Sequence, residues 1–156
     1  MTEHIQSITD SPLINMLFHY GLAEGMPRIA EIIVNNAMLI ERAQHLQADS
    51  YQRSPERTGY ANGFKKKSLL TSMGKLDLQV PQVRNSEDPF YPSLLEKGSR
   101  VDQALKLSIA EMYLQGISTR KVSKVLQELC GMEVSSSQVS DLTASLDPVL
   151  KQWRER

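Results

Sequence analysis

Ser136, Ser137 and Gln138, at the start of a helix in the last third of this 156-residue chain, hold its most specific chemistry. A Gln amide can bond adenine through both of its polar atoms, and a Ser hydroxyl can bond either type of base. The stretch "STRKVSKVLQELCGMEVSSSQVSDLTASL", Ser118 to Leu146, reads as two helices about a glycine turn. Such a pair commonly sets its second helix into the major groove of duplex DNA. That second helix contains no Lys or Arg and does contain Asp141. Asp141 either accepts from a cytosine amino group or faces solvent, and solvent is the favoured reading. Positive charge sits on the helix before it, where Arg120, Lys121 and Lys124 occupy the start and outer face that would cross a DNA backbone. The "SSSQ" turn can also offer backbone N–H groups to a phosphate.

The second source of charge lies earlier in the chain. The formal net charge is zero, yet it is unevenly spread. Residues 1–50 carry two Arg against six acids, residues 51–84 carry seven Arg and Lys against two acids, and the rest carry nine against ten. A middle segment at +5 suits a polyanionic partner. Within it Lys65, Lys66 and Lys67, with Phe64, Tyr60 and Arg57 nearby, resemble a phosphate-contacting arm with aromatic support, and Arg84 is a further candidate DNA contact. The plainer alternative is a solvated run of lysines that protects a strand edge from aggregation.

Other chemistries find little here. His4, His19 and His45 are scattered, and none stands at metal-ligand spacing with a second His or Cys. There is no phosphate-cradling glycine loop, no nucleophile elbow and no zinc signature. Glu87 and Asp88 lie in a polar loop and read as a solvated turn. Cys130, the one cysteine, reads as a small buried residue at a helix end and points to a reducing cytoplasm. Apolar runs such as Ile32 to Val34 are far too short to span a bilayer, and no basic, then apolar leader opens the chain.

The elements that would position these residues can be read in order. Ser11 and Pro12 open a short helix to about Leu22, and Pro27 opens a longer amphipathic one with Ile29, Ile40, Ala43 and Leu46 on one stripe. That stripe covers either its own domain or a second copy. Asn62-Gly63 is a turn signal. Leu69 and Thr71, a turn over Ser72 to Lys75, and alternating Leu76, Leu78 and Val80 predict a β-hairpin ended by Pro81. After Ser99 the chain reads as helical. A first helix ends at Gly116, a second runs from Ser118 or Thr119 to Gly131, and a third is capped by Ser135 or Ser136. Asp147-Pro148 can then start a last helix ending near Trp153. The expected fold is mainly α with a small β-hairpin: N-terminal helices over 1–50, a basic hairpin and loop over 51–98, and a trihelical helix-turn-helix unit over 99–156.

"YQRSPERTGYANGFKKKSL…GKLDLQVPQVR", "FYPSLLEK", "IAEMYLQGISTRKVSKVLQELCG", "SSSQVSDL…LD" and "WRER" follow one another in unbroken order. Together they resemble the N-terminal part of bacterial Mutator-type insertion-sequence transposases, over about Gly25 to Arg156. The resemblance implies an enzyme that cuts an insertion element at its terminal inverted repeats and joins it to new DNA. It implies an RNase H-like domain with an Asp-Asp-Glu triad and two divalent metals, which clamp the attacking and leaving oxygens of phosphoryl transfer. That domain normally begins just after "WRER", and no triad residue has a counterpart here. The chain is therefore expected to be truncated before the catalytic domain, without a cofactor of its own and inactive alone. It is expected to bind the terminal repeats as double-stranded DNA in a bacterial cytoplasm, at the nucleoid. It would do so as a homo-oligomer or in mixed oligomers with intact transposase. The alternative is a stand-alone helix-turn-helix repressor or a dominant-negative inhibitor of the intact enzyme.

Overall fold

A computed structural model describes residues 11–49, 51–52, 54–131 and 134–144. The expectation of a mainly α protein with one small hairpin holds. Helix α1 (Pro12–Leu46) precedes strands β1 (Tyr60–Thr71) and β2 (Gly74–Arg84), and helices α2 (Gln103–Leu114), α3 (Thr119–Cys130) and α4 (Ser136–Ala144) follow. These residues form two compact units. The first combines α1 with the body of the hairpin and the loop to Arg100, and the second combines the hairpin tip, Leu70–Lys75, with the helices after Val101.

Two N-terminal helices form, but they do not part just before Pro27. The break falls at Gly21, whose φ of 72° and ψ of 178° interrupt α1, while Pro27 lies inside the helix. Glycine adopts that left-handed φ without a Cβ penalty, so the chain can fold back sharply at this point. Leu17 consequently lies against buried Gly25, where an added Cβ would meet Leu17 Cδ2 at 3.0 Å. Pro27 removes one helical N–H, a loss a packed helix absorbs.

In the first unit Met38 is fully buried among Leu76, Leu78, Val80 and Leu95, with Ala30, Val34, Leu69 and Tyr91 packed around them. The alternation of Leu76, Leu78 and Val80 with exposed Lys75, Asp77 and Gln79 is the half-buried strand pattern read from the sequence. Ser68 Oγ donates to Asp77 Oδ1 at 2.6 Å, which fixes the two strands face to face across the Ser72-Met73 turn. The far edge of β2 is closed by α1 side chains. Glu31 Oε1 accepts from the Asp77 N–H at 2.6 Å and Asn35 Oδ1 from the Gln79 N–H at 2.9 Å. Pro81, two residues on, has no N–H to satisfy, so β2 runs through it to Arg84 instead of ending there. Asn62-Gly63 is not a turn either. Both lie inside β1, where Gly63 keeps a φ of 70°.

The second unit is a trihelical bundle around Val101, Leu105, Ile109, Val122, Leu126, Val134 and Val139. Asp102 caps α2, its side chain accepting from the Leu105 N–H at 2.7 Å. The Asp102 N–H donates to the Leu70 carbonyl at 2.9 Å, tying the hairpin tip to this bundle. Gly131, at φ 63°, closes α3. The helix expected from Pro148 to Trp153, and Leu146 of the third helix, lie outside the described residues.

Candidate nucleic-acid interface

Helix α4 begins with a reciprocal cap. The Ser135 N–H donates to Gln138 Oε1 at 3.0 Å, and the Gln138 N–H donates to Ser135 Oγ at 3.2 Å. This is the Ser-x-x-Gln capping box, which satisfies two N–H groups that a helix start leaves orphaned. The Ser137 and Ser135 hydroxyls lie 2.9 Å apart. Ser136, Ser137 and Gln138 are all exposed, as the sequence suggested. The Gln138 amide oxygen, however, is turned back onto the backbone. Presenting both amide atoms to adenine would draw that oxygen away from the cap. Of the two caps the sequence offered, Ser135 is the one used; the reciprocal role of Gln138 was not read, although the Ser-x-x-Gln spacing was there to find.

Helix α3 brings its cations beside that helix start. Arg120, Lys124, Ser123 and Gln127 line one wall of a cleft of about 480 Å³, and Val134, Ser135 and Gln138 line the other. No acid lines this cleft. Arg120 and Lys121 are exposed, and Lys124 makes a loose ion pair with Glu128, 3.8 Å apart and open to solvent. A pair so exposed contributes little to stability and leaves Lys124 available to another anion. Lys121 does not line the cleft. Cys130 is half-buried against the bundle core, and burial, followed by the Asp102 carboxylate, raises its thiol pKa. An inert, protonated thiol is the consequence.

The five candidate cations in the first unit divide into two kinds. Lys65, Lys66 and Arg84 are exposed. Lys67 is tied down, its Nζ donating to the Tyr91 hydroxyl at 2.9 Å and to the Glu96 carbonyl at 3.0 Å. Arg57 is tied down too. Its Nε donates to the Gly59 carbonyl at 2.7 Å and its Nη1 to the Gln52 carbonyl at 2.8 Å, with the guanidinium 5.1 Å from the Tyr60 ring. Lys66 and Lys67 both line a shallow groove of about 360 Å³ with Ser68, Asp77, Leu78 and Gln79. Arg42, which the sequence reading did not single out, stands 5.3 Å from the Phe64 ring, and burial lowers its pKa. Tyr60 and Phe64 remain about half exposed.

Among the described residues no group of three His, Cys, Asp or Glu could hold a metal ion, and no helix is long and apolar enough to cross a membrane. The chain is similar to the transposase for insertion sequence element IS406 of Burkholderia multivorans, 54% identical over 142 residues. That match covers 90% of this chain and 36% of the relative. It is 38% identical over 144 residues to the transposase for IS256 in transposon Tn4001 of Staphylococcus aureus, covering 92% of this chain and 36% of the relative. The transposase for IS1081 of Mycobacterium tuberculosis matches at 29% over 156 residues, 96% of this chain and 37% of the relative. The chain thus spans about a third of the length of the curated relatives it matches. The family model for transposases of the Mutator family matches residues 8–156, and the chain belongs to that family.

Proposed function

We propose that this chain is the DNA-binding portion of a Mutator-family transposase and that it recognises the terminal inverted repeats of its element as duplex DNA. The observation that carries the reading is the acid-free cleft in which Arg120 and Lys124 stand beside the capped start of α4. A helix start offers N–H groups and the positive end of its dipole, and two cations next to it favour a phosphate strongly. Helix α3 would cross the backbone there and α4 would lie in the major groove. Lys121, Lys65, Lys66 and Arg84 add exposed charge, whereas Lys67 and Arg57 brace the loops that present it. Divalent metals belong with a catalytic triad for which the described residues have no counterpart, so no strand-transfer step is assigned to them. A DNA partner would hold the protein at the nucleoid of a bacterial cytoplasm.

Fluorescence anisotropy with the element's terminal-repeat duplex and a scrambled duplex, titrated with salt, tests this. Substituting Arg120, Lys121 and Lys124 together with Ala should reduce the salt slope by about 0.9 for each lost phosphate contact and weaken both duplexes. An unchanged slope and affinity would sink the reading.

A second reading draws on α1. Leu22, Ile33 and Ile40 are 72%, 56% and 60% exposed and fall within about 20° of one another around the helix after Gly21, leaving an apolar face that a second copy or an intact transposase could cover. The chain would then act as a repressor of its element or as a dominant-negative partner in mixed oligomers. Transposition measured with and without this chain beside the intact enzyme separates the two readings.

A further inference from the structure

We infer that Asp141 is a specificity-determining residue whose carboxylate accepts from the amino group of cytosine and rejects bases that present an acceptor in the same place. The inference rests on the reading of α4 as the groove helix.

The geometry of α4 singles out this side chain. Val139 is fully buried, Thr143 is buried and Leu142 is half-buried, so together they mark the inward side of the helix. At about 100° per residue, Ser137 and Asp141 each stand about 160° from Val139, one on either side of the outward pole. Ala144 stands about 140° away, next to them. All three are exposed. Gln138 sits on the flank, about 100° from Val139, with its amide oxygen held by the Ser135 N–H. On the outward ridge Asp141 is therefore both the longest side chain and the charged one. Ser137 and Ala144, one turn to either side, are short enough to let a groove floor come close.

The chemistry of the groove then decides what a carboxylate there can do. Cytosine offers only an N4 amino donor in the major groove, adenine sets its N6 amino donor beside the N7 acceptor, and guanine with N7 and O6 and thymine with O4 show acceptors alone. A carboxylate only accepts, so it makes a charge-assisted hydrogen bond in the first case and meets repulsion from an acceptor in the others. Flanked by phosphates, an unmatched carboxylate weakens binding, which makes Asp141 act chiefly against wrong sequences. This also accounts for the absence of Lys and Arg from α4. A cation one turn away would pair with Asp141 and erase the discrimination. Among the described residues Asp141 has no ion-pair partner. Arg120, Lys121 and Lys124 on α3 supply the attraction that offsets its charge.

The test selects the full chain and its Asp141→Asn and Asp141→Ala variants against a randomised duplex library, then measures anisotropy on the enriched duplex and its single-base variants at fixed salt. Thermal melts of all three confirm folding, which an exposed position leaves intact. The wild-type motif should contain a cytosine column. Asp141→Asn should move that column to adenine, whose N6 and N7 an Asn amide matches. Asp141→Ala should flatten it, lowering discrimination at that position about tenfold and tightening binding to unselected duplex. If the wild type enriches a motif and neither variant alters any column, the assignment of Asp141 is overturned while the DNA-binding reading stands. If the wild type enriches no motif, the reading of α4 as the groove helix fails and the assignment fails with it.

Discussion

Gln138 distinguishes a helix cap from a base reader, and three substitutions separate the roles. Gln138→Ala removes the side-chain acceptor of the Ser135 N–H, a solvent-exposed bond of 3.0 Å. One exposed capping bond is worth about 0.5–1 kcal/mol, and the better helix propensity of Ala returns a few tenths, roughly 0.2–0.3. The expected net loss is about 0.5 kcal/mol, or ~1–2 °C in Tm for a chain of this length. Gln138→Glu keeps an acceptor in place and adds a negative charge at the positive end of α4, worth about 0.3–1 kcal/mol. Its Tm should rise by ~1–3 °C, so Glu and Ala differ by several degrees from opposite sides of the wild type. Ser135→Ala removes the acceptor of the Gln138 N–H and should cost about 1 kcal/mol. Combined with Gln138→Ala it should cost less than the sum, because both changes dismantle one motif. Melts followed by circular dichroism give the stabilities, and duplex selection gives the base preferences. A cap predicts that Gln138→Ala leaves the selected motif in place with modestly weaker affinity, and that Gln138→Glu stabilises the fold while weakening DNA binding. An Ala variant with unchanged Tm and a vanished adenine column would refute the reasoning and return Gln138 to the role its sequence position first suggests.

The other expectations follow from which polar groups are already occupied. Lys65→Ala with Lys66→Ala should reduce the salt slope of duplex binding by up to about 0.9 per contact, whereas Lys67→Ala should leave the slope alone and lower Tm, since its ammonium holds Tyr91 and Glu96. Salt-titrated anisotropy beside thermal melts reads both effects, and a Lys67 variant that changes only the slope would contradict the bracing role. Glu31→Ala and Asn35→Ala each strip an acceptor from the β2 edge and should cost about 0.5–1.5 kcal/mol, with faster hydrogen exchange at the Asp77 and Gln79 amides respectively. Unchanged exchange at those two amides would show that water replaces the side chains without loss.

Much of the fold was legible because its signals are local. Gly116, Gly131 and the apolar spacing of Val122, Leu126 and Val139 mark the bundle helices in any context. So do Leu76, Leu78 and Val80 for the strand. What was not legible depends on partners distant in sequence or on one backbone angle. Composition offers Gly21, Gly25 and Pro27 as equal candidates for the break in α1, and only the packing of Leu17 on Gly25 decides among them. Asn62-Gly63 is a turn signal that loses to strand pairing. Pro81 reads as a terminator until Glu31 and Asn35 reveal that its side of β2 faces α1 and not β1. The candidate site divides in the same way. Residue type marked Arg57 and Lys67 as equivalent to Lys65 and Lys66: nothing in a lysine run says that the Lys67 ammonium will find the Glu96 carbonyl, and the folding of Arg57 onto Gln52 and Gly59 depends on the local path of the backbone.

That division of labour bears on the helix without cations. In the second unit, Arg120, Lys121 and Lys124 sit on α3, while the outward ridge of α4 carries Ser137, Asp141 and Ala144. Attraction to phosphate is independent of sequence, and any cation placed on the ridge would raise affinity for right and wrong duplexes alike. A neutral or acidic ridge adds little to affinity, so nearly all of its contribution is a difference between sequences. The two quantities should therefore respond to different substitutions: changes to the α3 cations move the salt slope and leave the selected motif intact, and changes on the outward ridge of α4 reshape the motif and leave the slope intact. A ridge of short side chains also keeps the helix close to the groove floor, where a single carboxylate can discriminate donors from acceptors. Read this way, the absence of Lys and Arg from α4 is part of how the unit separates holding DNA from choosing it.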